Sequence, residues 1–330
     1  MKKINFVIIG SGNISNTYVN AINKINSAGL TGIVSRSGKI PAALQNQEIE
    51  SVDSITKIKN DFDAVILCTP NALHHKGAVE ASGIGKHVLT EKPLDISLES
   101  MDLMINSCKK ANVKLGVAYQ RRTSPDNITV KKLIRENKLG KIFAADLSVK
   151  NYRDDNYYKS GGYRGTWNID GGGPFMQQAS HYIDLYGWFF GKPEKVVSFC
   201  DTFIHNIETE DHGAALLRHS NGMIGAITAS TAAKPGFAAK LEIHSEAGTL
   251  VMVNDVITEW YIDGMDNPGK KSGLQIHSGA STASVEDTRR HEEIIKDFIL
   301  SIVEDREPLV SGESARLATE LILQIYNNRV

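Results

Sequence analysis

Over the first 120 residues, apolar positions fall in short unbroken runs separated by stretches where they recur every three or four residues. Residues 64–69 read AVILCT, the continuous pattern of a strand covered on both faces, and residues 4–9, INFVII, predict a buried strand interrupted only by Asn5. Residues 13–28 carry Ile14, Tyr18, Ala21, Ile22 and Ile25 at helical spacing, and residues 30–35 predict a second strand. A helix over 72–82, a strand over 88–90, a helix over 97–111 and a strand over 114–119 continue the rhythm. Strand and helix in strict turn predict an α/β fold with a parallel, doubly wound sheet of the Rossmann type.

The pattern changes after Gln120. A helix is predicted over 126–137 and a strand over 142–151, followed by a polar, glycine-rich stretch over 153–173. A helix over 175–190 stops at Gly191, with Pro193 beyond it. From 196 to 257 the segments are short and β-like, divided by turns such as Ser220-Asn221-Gly222 and Glu246-Ala247-Gly248. Residues 278–284 predict a loop, and helices over 285–304 and 313–326 close the chain. Consecutive strands without intervening helices predict an α+β domain with a large, mostly antiparallel open sheet. The expected division is 1–121 for nucleotide binding and 122–330 for substrate binding and oligomerisation.

Composition narrows the function classes. The 330 residues hold 37 basic and 38 acidic side chains with no basic block, which argues against a nucleic-acid partner. Cys68, Cys108 and Cys200 are far apart and form no CxxC, so neither a disulfide framework nor a zinc-thiolate site is expected. The opening MKKINFVIIGSG has an apolar run too short for a signal peptide, and no run reaches membrane-spanning length. A cytoplasmic protein is expected.

The candidate chemistry begins where the first strand meets the first helix. Gly10 would make a tight turn, Gly12 would let the backbone approach a pyrophosphate, and the helix opening at Asn13 and Ile14 would offer free N–H groups to it. Ser15 stands where a full dinucleotide fingerprint has its third glycine. The second strand ends in Ser35-Arg36-Ser37 and lacks the acidic residue that holds an NAD ribose. A guanidinium flanked by hydroxyls suits a 2′-phosphate, so NADP is preferred over NAD; the alternative is a solvated surface arginine. In an open parallel sheet ligands bind outside the carboxyl ends of the strands. Thr69-Pro70-Asn71 and the corner Glu91-Lys92-Pro93 fall at such ends, so Lys92 is aimed at the place of the nicotinamide.

Further along, Gln177, His181 and Asp184 stand at i, i+4 and i+7, on one face of the predicted helix. A buried, satisfied histidine is the plain alternative. No third ligand has suitable spacing, so no metal site is expected.

Gly10-x-Gly12, Thr69-Pro70-Asn71-x-x-His74, Glu91-Lys92-Pro93, and Gly171-Gly172-Gly173 followed by His181-x-x-Asp184 occur in this order. With the closing segments 292–298 and 308–313, they resemble the Gfo/Idh/MocA oxidoreductases, the glucose–fructose oxidoreductase and inositol dehydrogenase group. The resemblance implies a Rossmann domain and an α/β domain whose open sheet joins subunits, giving a homodimer or homotetramer. It implies that Lys92 contacts both cofactor and substrate, that Thr69, Pro70, Asn71, His74, Glu91 and Gln120 border the cofactor, and that the Arg164–Trp167 segment closes over the nicotinamide. Tyr152, Arg164, Trp167, Gln177, His181 and Asp184 would then line the substrate pocket, with Arg153, Tyr157 and Tyr158 close by in the same aromatic and basic stretch. An ordinary surface loop is the alternative for that stretch.

The expected activity is hydride transfer between a nicotinamide and a secondary alcohol or ketone of a sugar, polyol or related compound. Lys92 would stabilise the developing alkoxide and His181 would move the hydroxyl proton, since an imidazole titrates near neutrality. Asp184 would orient the imidazole or hold a further hydroxyl. Inositol dehydrogenase-like members carry an aspartate where this chain has Gln177, and an amide cannot act as a base. That places more of the proton transfer on His181 or Lys92. The alternatives are a sugar-nucleotide dehydrogenase that retains NAD, and a non-catalytic nicotinamide sensor, which would need neither Lys92 nor His181.

Overall fold

The computed structural model describes residues 2–45, 47–269 and 287–330. The expected loop at 278–284 and the first two residues of the helix expected from 285 lie outside the described residues. The chain forms two compact units, one holding the residues up to Gln120 together with 287–316, the other holding Arg121 onward to 269 together with Leu317–Val330. The expected second domain, 122–330, is therefore too large, because its segment 287–316 packs with the first unit.

The first unit begins with β1 (Ile4–Ile9), α1 (Asn13–Ile22), β2 (Ala28–Val34), β3 (Glu50–Val52) and β4 (Ala64–Leu67). It continues with α2 (His74–Gly83), β5 (His87–Thr90), α3 (Leu98–Lys110) and β6 (Leu115–Val117). The six strands lie in the order β3-β2-β1-β4-β5-β6, every neighbour parallel. This is the doubly wound order, whose reversal point between β1 and β4 opens a crevice at the strands' carboxyl ends. Ile4, Phe6, Val7 and Ile8 of β1 and all four residues of β4 are fully buried, which accounts for the unbroken apolar run of β4 and for that of β1 beyond the partly buried Asn5. Each such aliphatic side chain contributes about 1.5–3 kcal/mol of burial. Helix α3 starts at Ser97, whose Oγ accepts the Ser100 N–H at 3.2 Å, and ends on Lys109 and Lys110, both favourable to the helix dipole. Helix α1 stops at Ile22, six residues before its predicted end, because Ala28 already pairs with Ile4 as the start of β2.

The second unit contains α4 (Pro125–Arg135), β7 (Ile142–Lys150), α5 (Asp155–Lys159), α6 (Pro174–Gln177) and α7 (Ser180–Phe190). Six strands follow: β8 (Lys195–Asp201), β9 (His212–Arg218), β10 (Ile224–Ser230), β11 (Lys240–Ser245), β12 (Gly248–Val253) and β13 (Val256–Ile262). They join β7 in the order β13-β12-β11-β7-β10-β9-β8, antiparallel except for the parallel pair β7 and β10. One face carries α4, α6 and α7 over a core that includes Val130, Phe175, Ile183, Tyr186, Leu217 and Ile227. On the other face the alternate positions are exposed: Val197 and Phe199 of β8, Leu216 of β9 and Ile224 of β10. Asn254 and Asp255, both at positive φ, make the two-residue turn from β12 to β13.

Helix α8 (Arg289–Val303) packs on α1, and this places it in the first unit. Helix α9 (Gly312–Asn327) closes the chain, and its Leu321, Ile322, Ile325 and Tyr326 belong to the core of the second unit. The single helix predicted over 175–190 is two helices, α6 and α7, interrupted at Gln178 and Ala179. None of the described helices is long and apolar enough to cross a membrane.

Candidate active site

In the first unit, the glycine turn joins β1 to α1. Gly10 sits at φ +111°, and a Cβ there would lie 2.5 Å from the Cys68 carbonyl oxygen, so only glycine lets β1 turn this close to the end of β4. Gly12 precedes α1, and a Cβ on it would meet no atom within 4 Å, which leaves its face free for a close-lying phosphate. Asn13 and Ile14 form the first turn of α1. Ser15 is fully buried, and its hydroxyl donates to the Gly12 carbonyl. Thr69 follows β4, and its Oγ1 is buried without a hydrogen-bond partner. A buried hydroxyl left unpaired by the protein suits a bound polar group. These features fit a nicotinamide dinucleotide along the strand ends.

Ser35 and Ser37 follow β2 beside the same turn. The Ser35 hydroxyl lies 3.0 Å from that of Ser11 and 3.4 Å from that of Ser37. Between them Arg36 is 73% exposed, its guanidinium 3.9 Å from the Glu80 carboxylate, a loose surface pair that leaves it available to a phosphate.

The corner after β5 is fastened from three sides. The Lys92–Pro93 peptide is cis. Glu91 is buried, its Oε2 accepting the Lys92 N–H at 3.1 Å and its Oε1 accepting the Tyr18 hydroxyl of α1 at 2.7 Å. His291 of α8 stands behind, its Nε2 3.9 Å from Glu91. His74 is fully buried, with Nδ1 2.8 Å from the Pro93 carbonyl and Nε2 3.0 Å from the Thr69 carbonyl. Glu91 and His74 are expected at the border of the cofactor, and within the protein both side chains already have partners. Their polar atoms are engaged by the protein, and they act as staples that fix Lys92 relative to α1 and β4. Pro70 stands between β4 and the short turn Asn71–Leu73, and Gln120 opens the turn Gln120–Thr123 beyond β6.

In the second unit, the break between α6 and α7 divides the predicted stripe. Gln177 ends α6, and its Nε2 donates to the Asp170 carbonyl at 2.7 Å. Asp170 in turn accepts the Gly165 N–H at 3.0 Å, so Gln177 secures the Arg164–Trp167 loop. His181 lies in the first turn of α7 and is partly exposed. Asp184, expected to orient the imidazole or hold a further hydroxyl, pairs with Arg122. It is buried, its two oxygens paired with Nε and Nη2 of Arg122 at 2.8 and 2.6 Å. Burial raises its pKa and the guanidinium opposes the rise. Arg121 ion-pairs with buried Asp255 and lies 4.0 Å over the Tyr182 ring.

Trp167 donates its indole N–H to the Glu208 carbonyl at 3.0 Å and meets Tyr326 edge-on at 5.0 Å. Tyr152 lies beneath the Lys234 ammonium at 5.3 Å, and Arg164 stacks on Tyr157 at 4.2 Å. The glycine triplet has a packing cause. A Cβ at Gly172 would lie 2.2 Å from the Tyr326 hydroxyl, and one at Gly173 would lie 1.9 Å from the Glu210 carbonyl oxygen. Glu210 itself is a buried acid that the sequence did not single out. Burial pushes its pKa up to about 7, held back by hydrogen bonds from Tyr326 and from the N–H groups of Gly173 and Phe175. The cysteines are unpaired, and burial raises Cys108 to about 12 and Cys200 to about 11, so they are poor nucleophiles.

Comparison with known proteins follows the same division. The model of the oxidoreductase family with an NAD-binding Rossmann fold matches residues 4–119, and that of the GFO/IDH/MocA C-terminal domain matches residues 128–251. The WlbA dehydrogenase of Bordetella pertussis, solved in complex with NADH and UDP-GlcNAcA, superposes with a TM-score of 0.86 at 30% identity, covering 99% of this chain and 96% of that one. An oxidoreductase of Formosa agariphila is 29% identical over 201 residues, 59% of this chain and 63% of its own length. The scyllo-inositol 2-dehydrogenase (NADP+) of Bacillus subtilis is 28% identical over 206 residues, 62% of this chain and 56% of its own length. The chain thus spans about three-fifths of the length of these two curated relatives. With both family domains matched in order, the chain belongs to the Gfo/Idh/MocA oxidoreductase family.

Proposed function

We propose that this protein is an NAD(P)-dependent oxidoreductase that transfers a hydride between a nicotinamide and a secondary alcohol or ketone of a sugar, polyol or related compound. The observation that carries the reading is the Lys92 corner at the carboxyl end of a parallel sheet, where Glu91 accepts the main-chain N–H of Lys92 and His74 faces the Pro93 carbonyl. The dinucleotide, when bound, supplies the hydride acceptor or donor. Gly12 and the first turn of α1 hold its pyrophosphate, and Thr69 offers an unpaired hydroxyl. Lys92 steadies the negative charge that grows on the substrate oxygen. His181 takes or returns the hydroxyl proton, with no carboxylate at position 177 to assist it. The scyllo-inositol dehydrogenase relative supports a polyol substrate. A second reading, a sugar-nucleotide dehydrogenase, is supported by the likeness to WlbA, whose structure holds UDP-GlcNAcA.

NADP is the preferred dinucleotide in this reading, because the end of β2 presents Arg36 between two serines and no carboxylate. A fluorescence titration of the cofactor-free protein tests this. NADPH is expected to bind about tenfold or more tighter than NADH, a difference of about 1.4 kcal/mol. Arg36→Asp is expected to erase that preference. Equal weakening of both dinucleotides in the variant would remove the basis for NADP.

The exposed face of the second sheet supports a homodimer or homotetramer. Phe199 and Leu216 are 65% and 63% exposed there, beside Val197 and Ile224, and an apolar patch of this kind needs a cover. Leu216→Glu is expected to convert the assembly to monomers in analytical ultracentrifugation. A wild-type protein that sediments as a monomer at micromolar concentration would refute the interface. The same reading places the protein in the cytoplasm, where unpaired thiols persist.

A further inference from the structure

Helix α6 opens on main-chain donors that its own four residues cannot satisfy, and no side chain at Gly173 caps them. A buried acid from far along the chain takes them instead. Glu210, two residues before β9, accepts the Gly173 N–H on Oε2 at 3.0 Å and the Phe175 N–H on Oε1 at 3.3 Å. The Tyr326 hydroxyl of α9 donates to the same Oε1 at 2.8 Å. Main-chain bonds pass this hold onward. The Gln177 N–H donates to the Gly173 carbonyl at 2.9 Å, and the Ala179 N–H to the Pro174 carbonyl at 2.8 Å. The N–H groups of Tyr182 and Ile183 then donate to the Ala179 carbonyl at 2.9 and 2.8 Å. The first turn of α7, with His181, therefore follows wherever Gly173 and Pro174 are held.

A carboxylate accepts all three of these neutral donors. A protonated carboxyl turns one oxygen into a donor, so one of the three must turn or withdraw. Around Glu210 stand Tyr326 from α9 and Cys200 from β8, with the charge of Arg329 acting at Cys200. Glu208 is turned to the Trp167 N–H and Asp211 to His205. Burial pushes the Glu210 carboxyl up to about 7, so it changes charge in the neutral range.

We infer that Glu210, with Tyr326, is a positioning residue for the turn that carries Gln177 and His181: the ionised carboxyl gathers the start of α6 and sets that turn, and the neutral carboxyl slackens it. The assignment rests on the proposed oxidoreductase reading, in which His181 moves the proton. Activity and stability then answer pH in opposite directions. A buried carboxyl raised in the native state binds its proton more tightly folded than unfolded. Its contribution to stability is fully present below pH about 4.5 and is lost as pH rises to about 7. Order at the turn grows over the same range, whereas a side chain with a purely structural role moves both together.

The test uses the full chain and follows Trp167, which meets Tyr326 edge-on at 5.0 Å. Tryptophan emission of the wild type is expected to show a step with its midpoint near pH 7. Trp167→Phe is expected to remove the step, although Trp188 and Trp260 remain. Glu210→Gln is expected to remove it too, because an amide sets a donor against one of the three donors. The same variant is expected to lower kcat by about ten- to a hundredfold with KM changed less, the scale of a misplaced catalytic group. It is also expected to flatten the decline of melting temperature between pH about 5 and 7. Should Glu210→Gln fold poorly, Tyr326→Phe is the second variant, expected to move the emission midpoint up by about one pH unit. A wild-type emission without a step in the neutral range overturns the inference, as does a step left in place by Glu210→Gln or unmoved by Tyr326→Phe. Failure of the oxidoreductase reading shows differently, as a wild type without turnover whose emission step and melting profile still respond to Glu210→Gln.

Discussion

Replacing Lys92 with alanine is expected to lower turnover by about 10²–10³-fold, the loss found when one preorganised charge-stabilising donor is removed. Affinity for the dinucleotide is expected to stay within about threefold of wild type, a change of under 1 kcal/mol. The separation follows from how the corner is built. Glu91 grips the main-chain N–H of Lys92, and His74 faces the carbonyl of Pro93. Neither contact uses the lysine side chain, so the alanine variant keeps the same backbone. The glycine turn at Gly10 and Gly12, the serines at 35 and 37 and the Thr69 hydroxyl are other residues altogether. Lys92→Arg is expected to rescue little, because a flat, delocalised fork does not replace a compact ammonium at a fixed point. Steady-state kinetics beside a fluorescence titration measures both quantities. A Lys92→Ala enzyme with near-normal turnover would end the catalytic assignment.

The residues that the sequence reads well and those it reads poorly differ in the range of the interaction involved. Strands β1 and β4 are legible because burial on both faces writes a run of four consecutive apolar residues into each, Phe6–Ile9 and Ala64–Leu67. The glycine turn is legible because Gly10 and Gly12 answer to local backbone geometry. Strand β3 has only three residues, Glu50–Val52, too few for any period to emerge. The break between α6 and α7 is hidden because neither Gln178 nor Ala179 is a helix-breaking residue, so residues 175–190 read as one segment. Helix α8 is legible as a helix, but its place in the first unit is not, since its partner α1 is more than 250 residues away in sequence. His74, Glu91 and Asp184 show the same limit at the level of side chains. Each sits at the expected place in the chain, yet its polar atoms are engaged by residues that only the fold brings close: Pro93, Tyr18 and Arg122. A motif thus marks where chemistry is built, without separating the group that reacts from the group that holds it.

Arg122 makes the strongest structural claim of the second unit, and Arg122→Met is expected to cost about 3–5 kcal/mol of stability. The Arg122–Asp184 pair is bidentate and buried on both sides, and the guanidinium also lies 5.5 Å over the Trp188 ring. Removing the cation strands a carboxylate that burial already pushes toward the neutral form, so Asp184 rises further and takes up a proton. In a unit of this size, about 2–4 °C of melting temperature accompanies each kcal/mol, so the midpoint should fall by roughly 6–20 °C. Asp184→Leu alone should cost about as much, because it strands the guanidinium instead. The double variant Arg122→Met/Asp184→Leu removes both charges with similar volume and is expected to recover most of the loss, as replacement of buried pairs by apolar residues does elsewhere. Because Asp184 sits one turn beyond His181 on α7, the single variants are also expected to lower kcat, with KM changed less. Recovery of melting temperature and of kcat together in the double variant would mark the pair as a holder of α7. Recovery of stability without activity would return Asp184 to the chemistry, and single variants that melt within about 2 °C of wild type, under 1 kcal/mol, would show that the pair holds nothing.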